Sequence, residues 1–125
     1  MSLSLLHERL AQTSVFFTFV MAAWAFGLGL RHRGIDGNYL GALVIGEALL
    51  VGEAILGLVL LVGAGATPAR GIHLLYGVLA VLIWPFLMTI TRGERAGARQ
   101  EAFLYAAGSL FLWGLVLRAV TTAGG

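Results

Sequence analysis

The 125-residue chain contains no cysteine and no lysine, and only 11% of its residues are charged. Without cysteine, the chain can form no disulfide and offers no thiolate as a nucleophile or metal ligand. A soluble domain typically has about 25% charged residues, so this chain has too little charge to cover a surface that faces water. All eight basic residues are arginines spread along the chain, whereas a nucleic-acid surface needs a clustered basic face. The composition therefore argues against a soluble domain and against a nucleic-acid partner.

What the chain has in excess is apolar residues, which make up 59% of it. A bilayer core about 30 Å thick requires roughly 20 mostly apolar residues to cross it as a helix. Four segments meet this requirement, and we predict spans at residues 10–30, 39–62, 69–91 and 101–120. The connectors between them are short, which favours antiparallel neighbours. The sequence predicts an all-α fold: a single transmembrane domain over residues 1–125, built as an integral membrane four-helix bundle with up-down-up-down connections.

The arginines also predict an orientation for the spans. The first and third connectors, residues 31–38 and 92–100, together carry five arginines, and the opposite side of the membrane carries three. Cytoplasmic loops of membrane proteins contain an excess of basic residues. We therefore expect a multi-pass protein of the cell membrane, with these two connectors in the cytoplasm and both chain termini outside.

The third predicted span contains a proline, Pro85, well inside its apolar run. Proline has no backbone N–H, so the carbonyl of Val81 loses its usual partner, and the ring clashes with the preceding turn. In a membrane, such a carbonyl is satisfied by a neighbouring helix or by local adjustment. We expect a helix kink at Pro85 that serves packing.

The second predicted span contains two glutamates, Glu47 and Glu53, in an otherwise apolar segment. A charge at the bilayer centre costs roughly 2.5–3.5 kcal/mol, so each carboxyl must be neutral, be paired, or face water. Six residues apart, they lie about 120° apart around a helix and do not form the paired carboxylates of a glycosidase. We expect Glu47, the secondary buried acid, to lie near the cytoplasmic end and to pair with Arg31 or Arg33 or to reach water.

Glu53 is the centre of the predicted site, because it lies close to the midplane on a helix face of small residues. Helices that alternate in direction bring the outer half of the second span together with the outer ends of the other spans. We predict a buried polar cluster in the outer leaflet, formed by Gln12, Glu53, His73, Tyr76 and Arg118. Two interpretations stay open: interhelical hydrogen bonds that only hold the bundle together, or a ligand-binding site marked by intramembrane ionisable groups.

Several functions are compatible with this pattern. The first hypothesis is an accessory or self-associating subunit of a larger membrane complex, for example a respiratory or other electron-transfer complex, because small residues occur on several helix faces. The second is a protein that binds a quinone or another lipid-like ligand, or b-type haem, with His73 and His7 as candidate haem ligands. The third is a proton- or ion-coupled small transporter that works as an oligomer through Glu53.

An enzyme is the least favoured class. No nucleophile arrangement is visible, and no pair of metal ligands occurs at helical spacing. Ser109 lies deep in the fourth span as a lone hydroxyl, and we expect it to bond the backbone of its own helix. The sequence therefore predicts a membrane protein whose partners are the lipid bilayer and either other membrane subunits or further copies of itself.

Overall fold

The computed structural model describes residues 2–64, 68–91 and 97–123, and these residues form four long α-helices. In chain order the helices are α1 (Leu3–Leu30), α2 (Gly37–Ala64), α3 (Pro68–Thr91) and α4 (Ala98–Ala123). Each is long and apolar enough to cross a membrane. The expectation of an all-helical chain with four long apolar helices is confirmed, and these helices suggest a multi-pass membrane protein.

α1 begins earlier than the first predicted span. The hydroxyl of Ser2 accepts a hydrogen bond of 3.1 Å from the backbone N–H of Leu5, which caps the free N–H groups of the first turn. The helix therefore starts at Leu3, seven residues before the apolar run at residue 10. Because of this extension, His7 lies within α1 as a helical residue.

α1 ends in a tight hydrogen-bonded turn. The backbone N–H of Arg33 donates to the carbonyl of Leu28 at 2.8 Å, and that of His32 donates to the carbonyl of Gly29 at 3.0 Å. This pair of bonds is the Schellman motif, which satisfies carbonyls left free at the end of a helix. His32 has a φ of 57°, in the left-handed region that glycine usually occupies. The chain thus reverses sharply after α1.

α2 begins at an aspartate cap. The carboxylate of Asp36 accepts a hydrogen bond of 2.8 Å from the backbone N–H of Tyr39, and a negative charge there suits the positive end of the helix dipole. One residue earlier, the backbone N–H of Ile35 donates to the carboxylate of Glu101 in the first turn of α4, at 3.1 Å. The connector between α1 and α2 is therefore fixed against the start of α4.

The helix backbones pack in a ring in which each helix adjoins two others. α1 packs most extensively on α4, α4 packs next on α3, and the contacts of α2 with α1 and α3 are less extensive. The closest approach depends on glycine: a Cβ at Gly29 would lie 2.5 Å from the ring of Phe103, and one at Gly108 would lie 2.5 Å from Leu87. Small residues allow this close approach of helices in lipid.

The core lies along the inner faces of the four helices, and the outer faces are strongly apolar. Its fully buried large side chains include Met21, Tyr39, Leu43, Trp84 and Leu112. Outside, large side chains such as Phe16, Val62, Phe86 and Phe111 are 61–78% exposed. Extended apolar surfaces of this kind are rare on soluble monomers, and they suit contact with lipid.

α3 continues through Pro85 as one helix from Pro68 to Thr91. The side chain of Pro85 is exposed, and its carbonyl accepts a hydrogen bond of 2.9 Å from the hydroxyl of Thr89. The proline therefore does not end the helix, and the kink at Pro85 stays a prediction.

Candidate functional site

Glu53 meets a histidine from the start of α1. The Nδ1 atom of His7 lies 3.5 Å from the Oε1 atom of Glu53, and the two side chains are only 18% and 12% exposed. Both atoms are buried, and neither makes a hydrogen bond within the described part of the chain. At this distance the two side chains form an ion pair whenever the imidazole is protonated.

His73 joins this pair from α3. Its ring stands edge-on to the ring of His7, with a centroid distance of 6.0 Å and an angle of 89° between the planes. The Nδ1 atom of His73 is also buried and makes no hydrogen bond to the described residues. We call His7, Glu53 and His73 the acid–imidazole cluster. Each of its three side chains thus has a buried polar atom with unused hydrogen-bonding capacity.

Gly57 makes room for the imidazole of His7. It follows Glu53 by four residues and therefore shares its helix face. A Cβ at Gly57 would lie 3.4 Å from Cε1 and 3.7 Å from Nε2 of His7, which is ordinary contact, so any longer side chain would meet the ring. The small-residue face of α2 that the sequence predicted therefore does contact another helix here, with His7 packed against it.

The structure brings together two of the residues predicted for the polar cluster, Glu53 and His73, and adds His7 between them. Tyr76 is partly buried, and it makes no hydrogen bond to the acid–imidazole cluster within the described residues. The side chains of Gln12 and Arg118 are exposed. The buried group is therefore smaller than predicted, and its contacts run in a row from Glu53 to His7 and from His7 to His73.

Glu47 lies a little deeper in α2 than the sequence predicted, nearly three turns from the start of the helix at about 3.6 residues per turn. It follows the first residue of the helix, Gly37, by ten residues, or about 15 Å at 1.5 Å per residue. Its Oε1 atom is buried without a hydrogen-bond partner, and within the described chain no ion pair joins it to Arg31 or Arg33. The structure shows neither ion pair there, so of the two predicted alternatives contact with water stays a prediction; Glu47 borders a groove between α2 and α3.

A second polar feature, which the sequence did not predict, lies in the centre of the bundle. The indole N–H of Trp84 donates to the hydroxyl of Ser109 at 3.0 Å, and this hydroxyl lies 3.3 Å from the hydroxyl of Tyr39. Tyr39 in turn donates to the backbone carbonyl of Met21 at 3.0 Å. All three side chains have 0% exposure. We call this series the core hydrogen-bond chain, and each of the four helices contributes one of its groups.

The core hydrogen-bond chain corrects the expectation for Ser109. Its hydroxyl bonds side chains of α2 and α3, not the backbone of α4. Because Trp84 can only donate and Tyr39 donates to Met21, the Ser109 hydroxyl donates to Tyr39. A buried Trp or Tyr usually needs such a partner, so the presence of Trp84 and Tyr39 was the signal in the sequence from which this contact could have been predicted. Every polar atom in the series is satisfied, as a structural role requires.

The acid–imidazole cluster offers two imidazoles and a carboxylate to a ligand. His7 and His73, the candidate haem ligands, are adjacent. Among the described residues, no group of three or more His, Asp or Glu side chains could hold a metal ion. Imidazole is the side chain whose ordinary range of protonation spans neutral pH, and a carboxyl group can exchange a proton with an imidazole beside it. Proton binding is therefore the chemistry that this arrangement supports directly.

Comparisons with known proteins give no independent indication of function. The chain was compared with protein-family models, with curated proteins and with solved structures, and none of the three comparisons finds a match.

Proposed function

We propose that the protein is an integral membrane bundle of four spans, connected up-down-up-down, whose acid–imidazole cluster binds a proton and passes it on. The apolar outer faces support the membrane location. Two contacts support the alternating directions: Gly29 near the end of α1 adjoins Phe103 near the start of α4, and His7 near the start of α1 adjoins the second half of α2.

The observation that carries the proposal is the contrast between the two buried polar groups. The core hydrogen-bond chain uses all its donors and acceptors, whereas the acid–imidazole cluster leaves three buried atoms without a hydrogen bond among the described residues. An unsatisfied buried polar atom costs about 1–3 kcal/mol. His7 Nδ1 and Glu53 Oε1 compensate each other in part at 3.5 Å, but His73 Nδ1 has no partner among the described residues, and a group that takes up a proton uses this free capacity.

The chemistry of the cluster fits a proton relay. A proton shared between His7 and Glu53, 3.5 Å apart, leaves the pair either neutral or internally compensated, which lowers the cost of charge at this depth. His73 is the next proton acceptor, in contact with the ring of His7. Chains of Glu and His inside membranes are typical of proton pathways in pumps and transporters. The proposed activity is therefore proton movement across the membrane centred on Glu53, which is the part of the transporter hypothesis that the cluster supports.

The test is proton movement in reconstituted vesicles. Liposomes that contain the protein and an internal pH-sensitive dye are given a pH gradient, with valinomycin and potassium to clamp the voltage. We expect wild-type vesicles to dissipate the gradient at least about tenfold faster than vesicles with Glu53→Gln or His73→Ala, because each variant removes a proton carrier.

The matched control is Glu47→Gln, which removes the other glutamate of α2 and leaves the acid–imidazole cluster intact. We expect this variant to retain the wild-type rate. Equal rates for wild type and Glu53→Gln, or a loss of rate in Glu47→Gln alone, would contradict the proposed role of the cluster.

A b-type haem site is the second candidate, because His7 and His73 are adjacent. An absorption spectrum of the natively purified protein distinguishes the two: a Soret band that disappears in His73→Ala would favour haem over a proton relay. A quinone ligand, and a role as an accessory subunit of a larger complex or as a self-associating bundle, stay predictions from the sequence. The same native preparation, checked by mass spectrometry for bound ligands and partner chains, tests them.

The proposed topology is testable because the chain lacks cysteine, so single introduced cysteines give an unambiguous label. Ser2 and Asn38 are exposed at the starts of α1 and α2. We expect a membrane-impermeant maleimide to label Ser2→Cys on intact cells and to label Asn38→Cys only after permeabilisation, since the arginine-rich connectors belong in the cytoplasm. Labelling of both from the same side would exclude the alternating arrangement.

A further inference from the structure

A groove between α2 and α3 lies on a different side of α2 from Glu53. Its volume is about 530 Å³, within the range of about 300–1,000 Å³ that is usual for small-molecule sites. Val51, Ile55 and Met88 contribute to its apolar walls, and Glu47 is the one ionisable residue among the described residues that line it. The groove is therefore an apolar surface with a single acid.

The carboxyl group of Glu47 has no partner from the described part of the chain. Its Oε1 atom is buried and makes no hydrogen bond there, and it lies about 15 Å along α2 from the start of the helix. A carboxylate in apolar surroundings is costly unless a positive charge compensates it. No described arginine pairs with Glu47, so its carboxyl group is either protonated and neutral or ionised beside a cation from outside the described chain.

The groove is open on its outer side. Val51 follows Glu47 by four residues on the same helix face, and Val51 and Ile55, which both border the groove, are 38% and 57% exposed. The contacts between α2 and α3 are the least extensive of the four helix pairs. A bulky apolar group can therefore lie against this exposed wall, next to the face that carries Glu47.

We propose that this groove binds a lipophilic organic cation, with the carboxylate of Glu47 as its counter-ion and the apolar walls around its hydrocarbon part. The charge of Glu47 selects against anions of the same shape. A strongly hydrated metal cation is not a suitable ligand, because it would need several oxygen ligands and the groove offers one carboxyl group. The proposal is independent of proton binding by the acid–imidazole cluster, which involves other residues.

The probe is tetraphenylphosphonium, and the matched control ligand is tetraphenylborate, which has the same four phenyl groups and the opposite charge. Binding to the full chain in lipid nanodiscs is measured by equilibrium dialysis against empty nanodiscs. We expect tetraphenylphosphonium to bind above the lipid background and Glu47→Gln to weaken it at least about tenfold, since loss of one partner of a buried charge pair is costly. We expect Glu53→Gln to change the affinity by less than about twofold, since distant sites act independently.

A second variant keeps the carboxylate and fills the space. Val51→Trp places a larger side chain on the helix face of Glu47, four residues further along, and because Val51 is 38% exposed the helix can accommodate it; we expect this variant to abolish tetraphenylphosphonium binding with unchanged helical circular dichroism. Tetraphenylborate should stay at the lipid background throughout. Unchanged tetraphenylphosphonium affinity in Glu47→Gln, or specific binding of tetraphenylborate to the wild type, would overturn the proposal.

Discussion

Replacement of Trp84 by alanine is expected to lower the free energy of unfolding by about 3–5 kcal/mol, the usual cost of removing a large aromatic side chain from a core. Trp84 has 0% exposure, so little of the cavity can be relieved by solvent or lipid. The variant also removes the indole N–H that donates a hydrogen bond of 3.0 Å to the hydroxyl of Ser109. Unfolding in mixed micelles with rising dodecyl sulfate content, followed by circular dichroism, measures the loss.

Phe86→Ala is the matched control for this variant. Phe86 lies two residues further along α3 but is 61% exposed, so its removal leaves no cavity, and we expect a change within about 0.5 kcal/mol. Equal losses for Trp84→Ala and Phe86→Ala would mean that α3 is rotated relative to the arrangement described here.

The second large effect is expected at Gly46, where the bundle has no space for a side chain. A Cβ there would lie 2.5 Å from the ring of Phe17 and 2.7 Å from the ring of Trp84. Trp84 cannot move aside without breaking its bond to Ser109. Overpacking costs about 1–3 kcal/mol, and occasionally more. Because Gly46→Val adds two further methyl groups, we expect it to lose at least about 3 kcal/mol or to fail to assemble.

Gly41→Val tests whether valine itself, and not the position, causes such a loss. Gly41 lies on the same helix, is exposed, and has no atom within 4 Å of the position of a Cβ. We expect its unfolding free energy to change by no more than about 0.5 kcal/mol, measured in the same dodecyl sulfate titration. A variant Gly46→Val as stable as Gly41→Val would rule out the close packing of α2 against Trp84.

The four helices were predictable because their apolar runs meet the bilayer length requirement without ambiguity. The start of α1 was not, because residues 2–9 are too polar to count as part of a span. In the structure the hydrogen bond between Ser2 and Leu5 caps the helix, which begins at Leu3. The sequence therefore predicted His7 as a candidate haem ligand but not as the partner of Glu53.

The faces of the helices were harder to predict than their lengths. In a soluble protein the polar face of a helix marks the outside, but a span that faces lipid on one side and a core on the other is apolar on both. The rotation of α4 about its own axis is therefore hard to predict from the sequence. In the structure Ser109 faces the core and Arg118 is exposed. The positions of Glu53 and His73 along their helices were sufficient to predict that they lie close together. The prediction for Gln12 also depended on the rotation of α1 about its own axis, which the pattern does not contain.

The core hydrogen-bond chain has a consequence for the order in which the protein assembles. Spans that enter the bilayer one after another first form separate helices and then associate. Until α4 is inserted, Trp84 has no acceptor, because its acceptor is Ser109. α4, which is synthesised after the other three helices, is thus the one that satisfies Trp84 of α3, and a nascent chain halted after α3 would remain a set of loosely associated helices that membrane quality control can recognise.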